Sequence, residues 1–288
     1  MQEPRFDSLI ALLDDPDDSV FHIVQDELLK EDIAVVDLLE HIWETSMDEL
    51  VQKRIEAIIQ EIQLKDTRER IKHWADQNTL DLFEGFFLIS RHQYPELKLK
   101  SIQMQLDKIR KDIWLEFRSS LTSIEKITIL NHIFYDFHNF KVDHFSPDSP
   151  HLCYINRILE TKKGNPVSIA ILYTLIGRSL NLPVHYIDFQ KNPLVGYFDK
   201  DIARIVHGEE IDHSILFYIN PSNKGAIIGP KEVDYIQHTS DLADRQKLKE
   251  PCPDRIIIKR LIEKLVIAYS ETGHHEKVNY LNEIAGIL

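Results

Sequence analysis

The chain predicts an α+β fold: a small antiparallel sheet lies against one apolar helix, and helices from both ends of the chain enclose the pair. Three observations lead there. Residues 166–180 read as a helix that is apolar nearly all round, through Val167, Ile169, Ala170, Ile171, Leu172, Leu175, Ile176 and Leu180. That pattern belongs to a helix buried at the centre of a domain. Residues 6–138 and 254–287 repeat apolar side chains every three or four positions, the helical spacing. Between 184 and 228 the pattern changes to short runs rich in β-branched and aromatic residues, separated by turn formers.

Taken in order, residues 6–63 predict four amphipathic helices. The first carries Phe6, Leu9, Ile10, Leu12 and Leu13 and stops at Asp14-Asp15-Pro16. The second runs through Val20, Ile23, Val24, Leu28 and Leu29, the third through Val35, Val36, Leu38, Leu39, Ile42 and Trp43. The fourth holds Leu50, Val51, Ile55, Ile58, Ile59 and Ile62. The run Leu12-Leu-Asp-Asp-Pro-Asp-Asp-Ser-Val20 resembles the opening of a HEAT-type helical repeat. Such units bury their faces only against neighbours, so residues 1–66 are expected to be a helical extension docked on the rest of the chain.

Residues 67–138 continue as helices. Trp74 belongs to one; Leu82, Phe83, Phe86, Phe87 and Ile89 to the next, which stops before Pro95; a longer one spans about 97–118. Thr122 with Glu125 three residues on is a capping box opening another. From His138 to Pro150 the chain turns polar and predicts a loop. A short helix from Tyr154 is expected to end at Gly164. Asn165 and Pro166 then start the central helix, because Asn is a favoured N-cap and proline suits the first helical position. Val184–Phe189, Pro193–Phe198, Ser214–Asn220 and Ala226–Ile228 predict antiparallel strands, with Asn220–Gly225 as a tight connector. Residues 251–288 predict a helical hairpin, helix 254–272 closed by Gly273 and a last helix at 275–287, similar in fragment to a tetratricopeptide hairpin.

The formal charge of −13 opposes nonspecific binding to nucleic acid or an anionic membrane, both of which require basic surface. The one notable basic cluster, Lys98 to Lys111, is interleaved with Gln, Asp and apolar residues and reads as the wet face of a helix. Cys153 and Cys252 form neither a disulfide framework nor a zinc signature and fit a reducing compartment. No secretory signal or membrane-length apolar run is visible, so a cytoplasmic location is expected.

Four pieces carry a family resemblance: Tyr154-Ile-Asn-Arg-Ile-Leu-Glu160, Lys163-Gly-Asn-Pro-Val-Ser168, Leu180-Asn-Leu-Pro183 and Asn220-Pro-Ser-Asn-Lys-Gly225. Their order and spacing resemble the SirB1 family of bacterial transglutaminase-like proteins. The likeness runs over about residues 80–288 and includes Arg91-His-Gln-Tyr-Pro95 and Leu121-Thr-Ser-Ile-Glu-Lys126. The resemblance implies a transglutaminase-like domain over residues 67–250, between the helical extension and the hairpin. Enzymes of this type place a cysteine at the start of the central helix, a histidine on the following sheet as base, and an Asp or Asn to orient it. Aligned on Gly164 and Ala170, those positions fall on Pro166, Asn192 and Asn220. Proline carries no nucleophile, and an amide is no base at neutral pH. The resemblance therefore implies a degenerate, non-catalytic module that binds a protein or peptide and needs no cofactor.

The alternative is a hydrolase or acyltransferase whose nucleophile has moved. Cys153, read as the start of the preceding helix, is one candidate. Ser168 is the other, with His185, His207 or His213 as its base. The ordinary readings are a buried thiol for Cys153 and a helix-capping hydroxyl for Ser168. A metal site would draw on His138, His144 and His151 with Asp136, Asp143 and Asp148, or on His207 and His213 with Glu209, Glu210 and Asp212. Neither group has a zinc spacing, and none is expected to hold a metal. Glu84 and Glu160, in apolar helices, read as structural partners of Arg91, Arg157 or Lys163, or as acids of raised pKa. His274-His275 reads as an exposed turn between helices.

Overall fold

A computed structural model describes residues 3–189, 192–208, 211, 213–239 and 248–288. The chain divides into two compact units, Met1–His73 and Trp74–Leu288.

The first unit contains α1 (Glu3–Ile10), α2 (Asp18–Leu28), α3 (Val35–Thr45) and most of α4 (Glu49–Ala75), which continues past residue 66 without a break. Leu13, Val24, Leu28, Leu39, Ile55 and Ile58 are buried together in its core. The acidic turn between α1 and α2 is held by Arg54, a buried guanidinium on α4. It donates to the Leu13 and Asp15 carbonyls at 2.9 and 2.6 Å and to Asp18 at 3.0 Å, and lies over the Phe21 ring. Asp17 caps α2 by accepting the Ser19 N–H, which holds its carboxyl below the usual range.

The second unit begins with α5 (Leu82–Gln93), α6 (Leu99–Glu116) and α7 (Ser123–Asn131), the last opened by the Thr122–Glu125 capping box. Where the sequence predicts the same α-helix to continue, residues His132–Phe137 widen into a π-helical turn. Then come β1 (Lys141–Val142), a 3-10 turn at Pro150–Cys153, α8 (Ile155–Thr161), β2 (Lys163–Gly164) and the central α9 (Pro166–Ser179). After α9 the chain forms β3 (Val184–Ile187), β4 (Leu194–Phe198), α10 (Lys200–His207), β5 (Ile215–Asn220), a 3-10 turn at Pro221–Asn223 and β6 (Ala226–Ile228). It closes with α11 (Pro230–Thr239), α12 (Asp254–Glu271) and α13 (His275–Ile287). The four strands are antiparallel in the order β3-β4-β5-β6.

Central burial of α9 follows from its composition: Ile169, Ala170, Ile171, Leu172 and Tyr173 are fully buried. Gly177 lets β3 approach, since a Cβ there would come within 2.4 Å of Val184. The α12–α13 pair takes the predicted hairpin form, and Gly273 is left-handed, with φ 76°. Among the described residues no helix is long and apolar enough to cross a membrane.

Three local expectations change. Helix α8 ends at Lys162, itself left-handed with φ 61°, and not at Gly164. Gly164 instead pairs with Val142 in a two-residue parallel bridge, β1 with β2, inside a stretch expected to be loop up to Pro150. Between β4 and β5 the chain makes α10, started by Asp199, whose side chain accepts the Ile202 N–H at 3.1 Å.

Candidate functional site

The start of α9 is where chemistry would be sought in this architecture. The Asn165 carboxamide oxygen accepts the Ser168 N–H at 2.9 Å, and the Ser168 hydroxyl accepts the Asn165 N–H at 3.0 Å, a reciprocal capping box. The same hydroxyl donates to the Leu152 carbonyl at 2.6 Å, and the Asn165 amide nitrogen donates to the Cys153 sulfur at 3.0 Å. The helix start is thereby clamped to the 3-10 turn at Pro150–Cys153. Gly164 is required by this packing: a Cβ would stand 2.6 Å from the Ser168 hydroxyl oxygen.

Cys153 ends the 3-10 turn rather than opening a helix; Tyr154, next in sequence, is the N-cap of α8. Its thiol is 1% exposed, and burial pushes its pKa up to about 12 against the partly offsetting Asn165 bond. A thiolate at a productive helix N-terminus is shifted the other way. Ser168 is fully buried. His185 lies on β3 within electrostatic reach of Arg178, at the opposite end of α9 from Ser168. About ten residues of helix, roughly 15 Å, separate Ser168 from Arg178. Burial, then Arg178, lowers the His185 pKa.

Of the three positions aligned with the enzyme triad, Asn220 is engaged through its side chain and Asn192 through its backbone. Pro166 is the first residue of α9 and is half-buried. Asn220 ends β5 and turns its side-chain oxygen onto the Ser222 N–H at 3.1 Å, capping the 3-10 turn. That loop is tied down from below. Asn131 donates to the Gly225 carbonyl at 2.8 Å and accepts from Tyr173 of α9 at 2.7 Å, while Tyr135 donates to the Pro221 carbonyl at 2.9 Å. Asn192 is exposed, its N–H donating to the Phe189 carbonyl at 3.1 Å. Gln190 and Lys191 lie outside the described residues.

Most of the other candidates disperse, though the His207 and His213 rings lie 6.4 Å apart. His138 shares a 2.9 Å hydrogen bond with Asp112, Asp143 pairs with Lys163 at 3.2 Å, and Asp136 lies 3.2 Å from His132. His151 meets the Tyr94 hydroxyl at 3.3 Å, and His144 and Asp148 are exposed. His207 bonds the Leu216 carbonyl at 2.7 Å, and the His213 ring nitrogen accepts the Ile215 N–H at 3.2 Å. Glu209, Glu210 and Asp212 lie outside the described residues. Among the described residues no three metal-binding side chains converge. Glu160 is exposed and takes a hydrogen bond from Arg157, so it is a surface ion pair; Glu84 is half-buried on α5. His274 and His275 are exposed, as a turn requires.

Two clefts have no signal in the sequence. One, of about 660 Å³, lies at the C-terminal end of α9, where Arg178 bonds both Asp254 oxygens at 2.9 and 3.1 Å. The other, of about 550 Å³, lies beside Asp188, Cys252 and Arg260. Asp188 accepts two Arg260 hydrogen bonds at 3.0 and 2.9 Å, and burial pushes the Cys252 thiol up to about 12. Each cleft has an arginine–carboxylate pair in its wall, Arg178 with Asp254 in the first and Arg260 with Asp188 and Glu263 in the second.

A family model for the transglutaminase-like superfamily matches residues 100–263, more than half of the chain. The UPF0162 protein of Xylella fastidiosa (strain 9a5c) is 24% identical over 213 residues, 70% of each chain. The UPF0162 protein of Vibrio cholerae (serotype O1) is 24% identical over 114 residues, 40% of this chain and 42% of that one. Human F-box only protein 21 is 24% identical over 181 residues, 54% of this chain and 28% of that protein. No solved structure matches at comparable significance.

Proposed function

We propose that this chain, which belongs to the transglutaminase-like superfamily, is a non-catalytic member of the SirB1 type that binds a protein or peptide in the cytoplasm. What carries the proposal is the start of α9. The position aligned with the nucleophile holds Pro166, and the two nearby groups that could replace it are engaged in structure. Ser168 gives its proton to a backbone carbonyl and its oxygen to a backbone N–H. Cys153 is buried, with its thiol held protonated near neutral pH. Among the described residues no imidazole is bonded to either group, the pairing on which this kind of nucleophilic catalysis depends. Binding through a retained fold needs none of these groups. The match to F-box only protein 21 covers only part of that protein, so there the related region is one part of a longer chain.

The test is turnover. The purified chain is expected to leave peptide, glutamine-amide and ester substrates unchanged, and the variants Cys153→Ala and Ser168→Ala to alter none of these rates. Hydrolysis or transamidation that disappears in either variant, with the fold retained, would refute the proposal.

A further inference from the structure

The basic cluster on α6 has a geometry that its sequence alone does not reveal. Residues 98–118 hold six basic and three acidic side chains, on a chain whose formal charge is −13. Met104, Asp107, Lys108, Arg110, Lys111 and Trp114 border a shallow groove of about 600 Å³, open to solvent and formed by the side chains of this one helix. Asp107 is engaged by Arg110 at 3.2 Å, and Asp112, one turn on from Lys108, by His138 at 2.9 Å, which leaves both carboxylates occupied locally. Neither lysine has an ion-pair partner among the described residues. Apolar groups are exposed beside them: Met104 at 64%, Trp114 at 61% and Leu115 at 62%. Met104, Lys108, Lys111 and Leu115 follow the i, i+4, i+7, i+11 spacing of one helical face.

The π-helical turn extends this surface. His138, at its end, bonds Asp112 of α6 at 2.9 Å, and its neighbour Phe137 is 62% exposed. Lys162, the left-handed cap of α8, is within electrostatic reach of Lys108, and the repulsion adds to burial in lowering the Lys162 pKa. Like charges brought together around exposed aromatic side chains suit a ligand that is both anionic and apolar.

We infer that the α6 groove is a docking surface for an acidic amphipathic helix of a partner protein. A helix of about three turns matches the run from Met104 to Leu115, with its apolar residues against Met104, Trp114 and Leu115 and its carboxylates on Lys108 and Lys111. A nucleic acid is the poorer occupant: its charge continues beyond the patch, over the surface of a chain that is strongly acidic overall. The inference names the partner for the binding-module reading and rests on it.

The probe is a fluorescein-labelled helical peptide of about three turns, with Leu along one face and Glu beside it, titrated into the full chain by anisotropy. The expected result is saturable, salt-sensitive binding, weakened about tenfold or more by Lys108→Glu with Lys111→Glu and by Trp114→Ala. Lys98→Glu with Lys100→Glu, on the same helix outside the groove, is expected to change it little. Circular dichroism confirms that each variant folds. Equal binding of a peptide with Gln in place of Glu would overturn the inference, as would indifference to the groove variants. Tighter binding of a single-stranded oligonucleotide or of phosphatidylserine vesicles to the same lysines would also overturn it. Failure here leaves the non-catalytic reading intact, because that reading stands or falls on turnover.

Discussion

Replacing Asn165 with alanine removes the clamp at the start of α9 from both sides. The Ser168 N–H loses its acceptor at a position with no solvent access, and the Cys153 sulfur loses its donor. Loss of an N-cap costs about 1–2 kcal/mol. Leaving the freed N–H buried adds about 1–3 kcal/mol, while the weak N–H···S bond adds little. The expected loss is about 3 kcal/mol, or roughly 6–12 °C in Tm for a unit of this size. Asn165→Ser is expected to recover part of it, because Ser also caps. The assay is urea unfolding followed by near-ultraviolet circular dichroism, with hydrogen exchange of the α9 amides locating the change. Combining Asn165→Ala with Ser168→Ala should cost less than the two separately, since the residues share one capping box. A single-variant loss below about 0.5 kcal/mol, or strict additivity, would refute the clamp as drawn.

Arg54→Ala is expected to cost the first unit about 3 kcal/mol, mainly through its buried bond to the Leu13 carbonyl and its part-buried bond to the Asp15 carbonyl, because Asp18 is too exposed to contribute much. Arg54→Lys should recover less than half, since an ammonium cannot reproduce the fork; protection of the α2 amides against exchange reports both. His92 stacks on Tyr280, and burial followed by Lys277 lowers its pKa from the ordinary 6.5 to about 4. The unfolded chain therefore takes up this proton first. His92 contributes stability that is present above about pH 6.5 and lost as pH falls towards 4, and His92→Phe should flatten that part of the stability profile. If the wild type and His92→Phe lose stability in parallel over that range, the assignment is wrong.

Much of the architecture is legible because it rests on local chemistry. Asn165-Pro166 announces a helix start by cap preference, Thr122–Glu125 by its reciprocal bonds, and Gly273 a helix end by its tolerance of positive φ. The strands show as short runs rich in β-branched and aromatic residues between turn formers. What stays hidden depends on approach in three dimensions. Gly164 reads as a helix terminator, yet what requires it is the Ser168 hydroxyl beside it. The π-helical turn at His132–Phe137 has the same apolar spacing as an α-helix, so periodicity alone cannot separate them. Helix α10 is only eight residues long and buries Ala203 while Ile202, Ile205 and Val206 stay exposed, so its apolar residues do not mark a buried helical face. The bond from Asn165 to Cys153 spans twelve residues and two turns, and no residue pattern announces it.

The measurement closest to the central claim is the rate at which iodoacetamide alkylates Cys153 in the folded chain at neutral pH, read by peptide mass spectrometry. With the sulfur buried and its pKa near 12, only about one molecule in 10⁵ would carry the thiolate at pH 7, against a few per cent for a free cysteine. Modification should therefore be slower than for free cysteine by at least about a thousandfold, and should accelerate only when denaturant opens the fold. Prompt stoichiometric labelling of native Cys153, with Cys252 spared, would contradict the account and return that sulfur to the role of nucleophile.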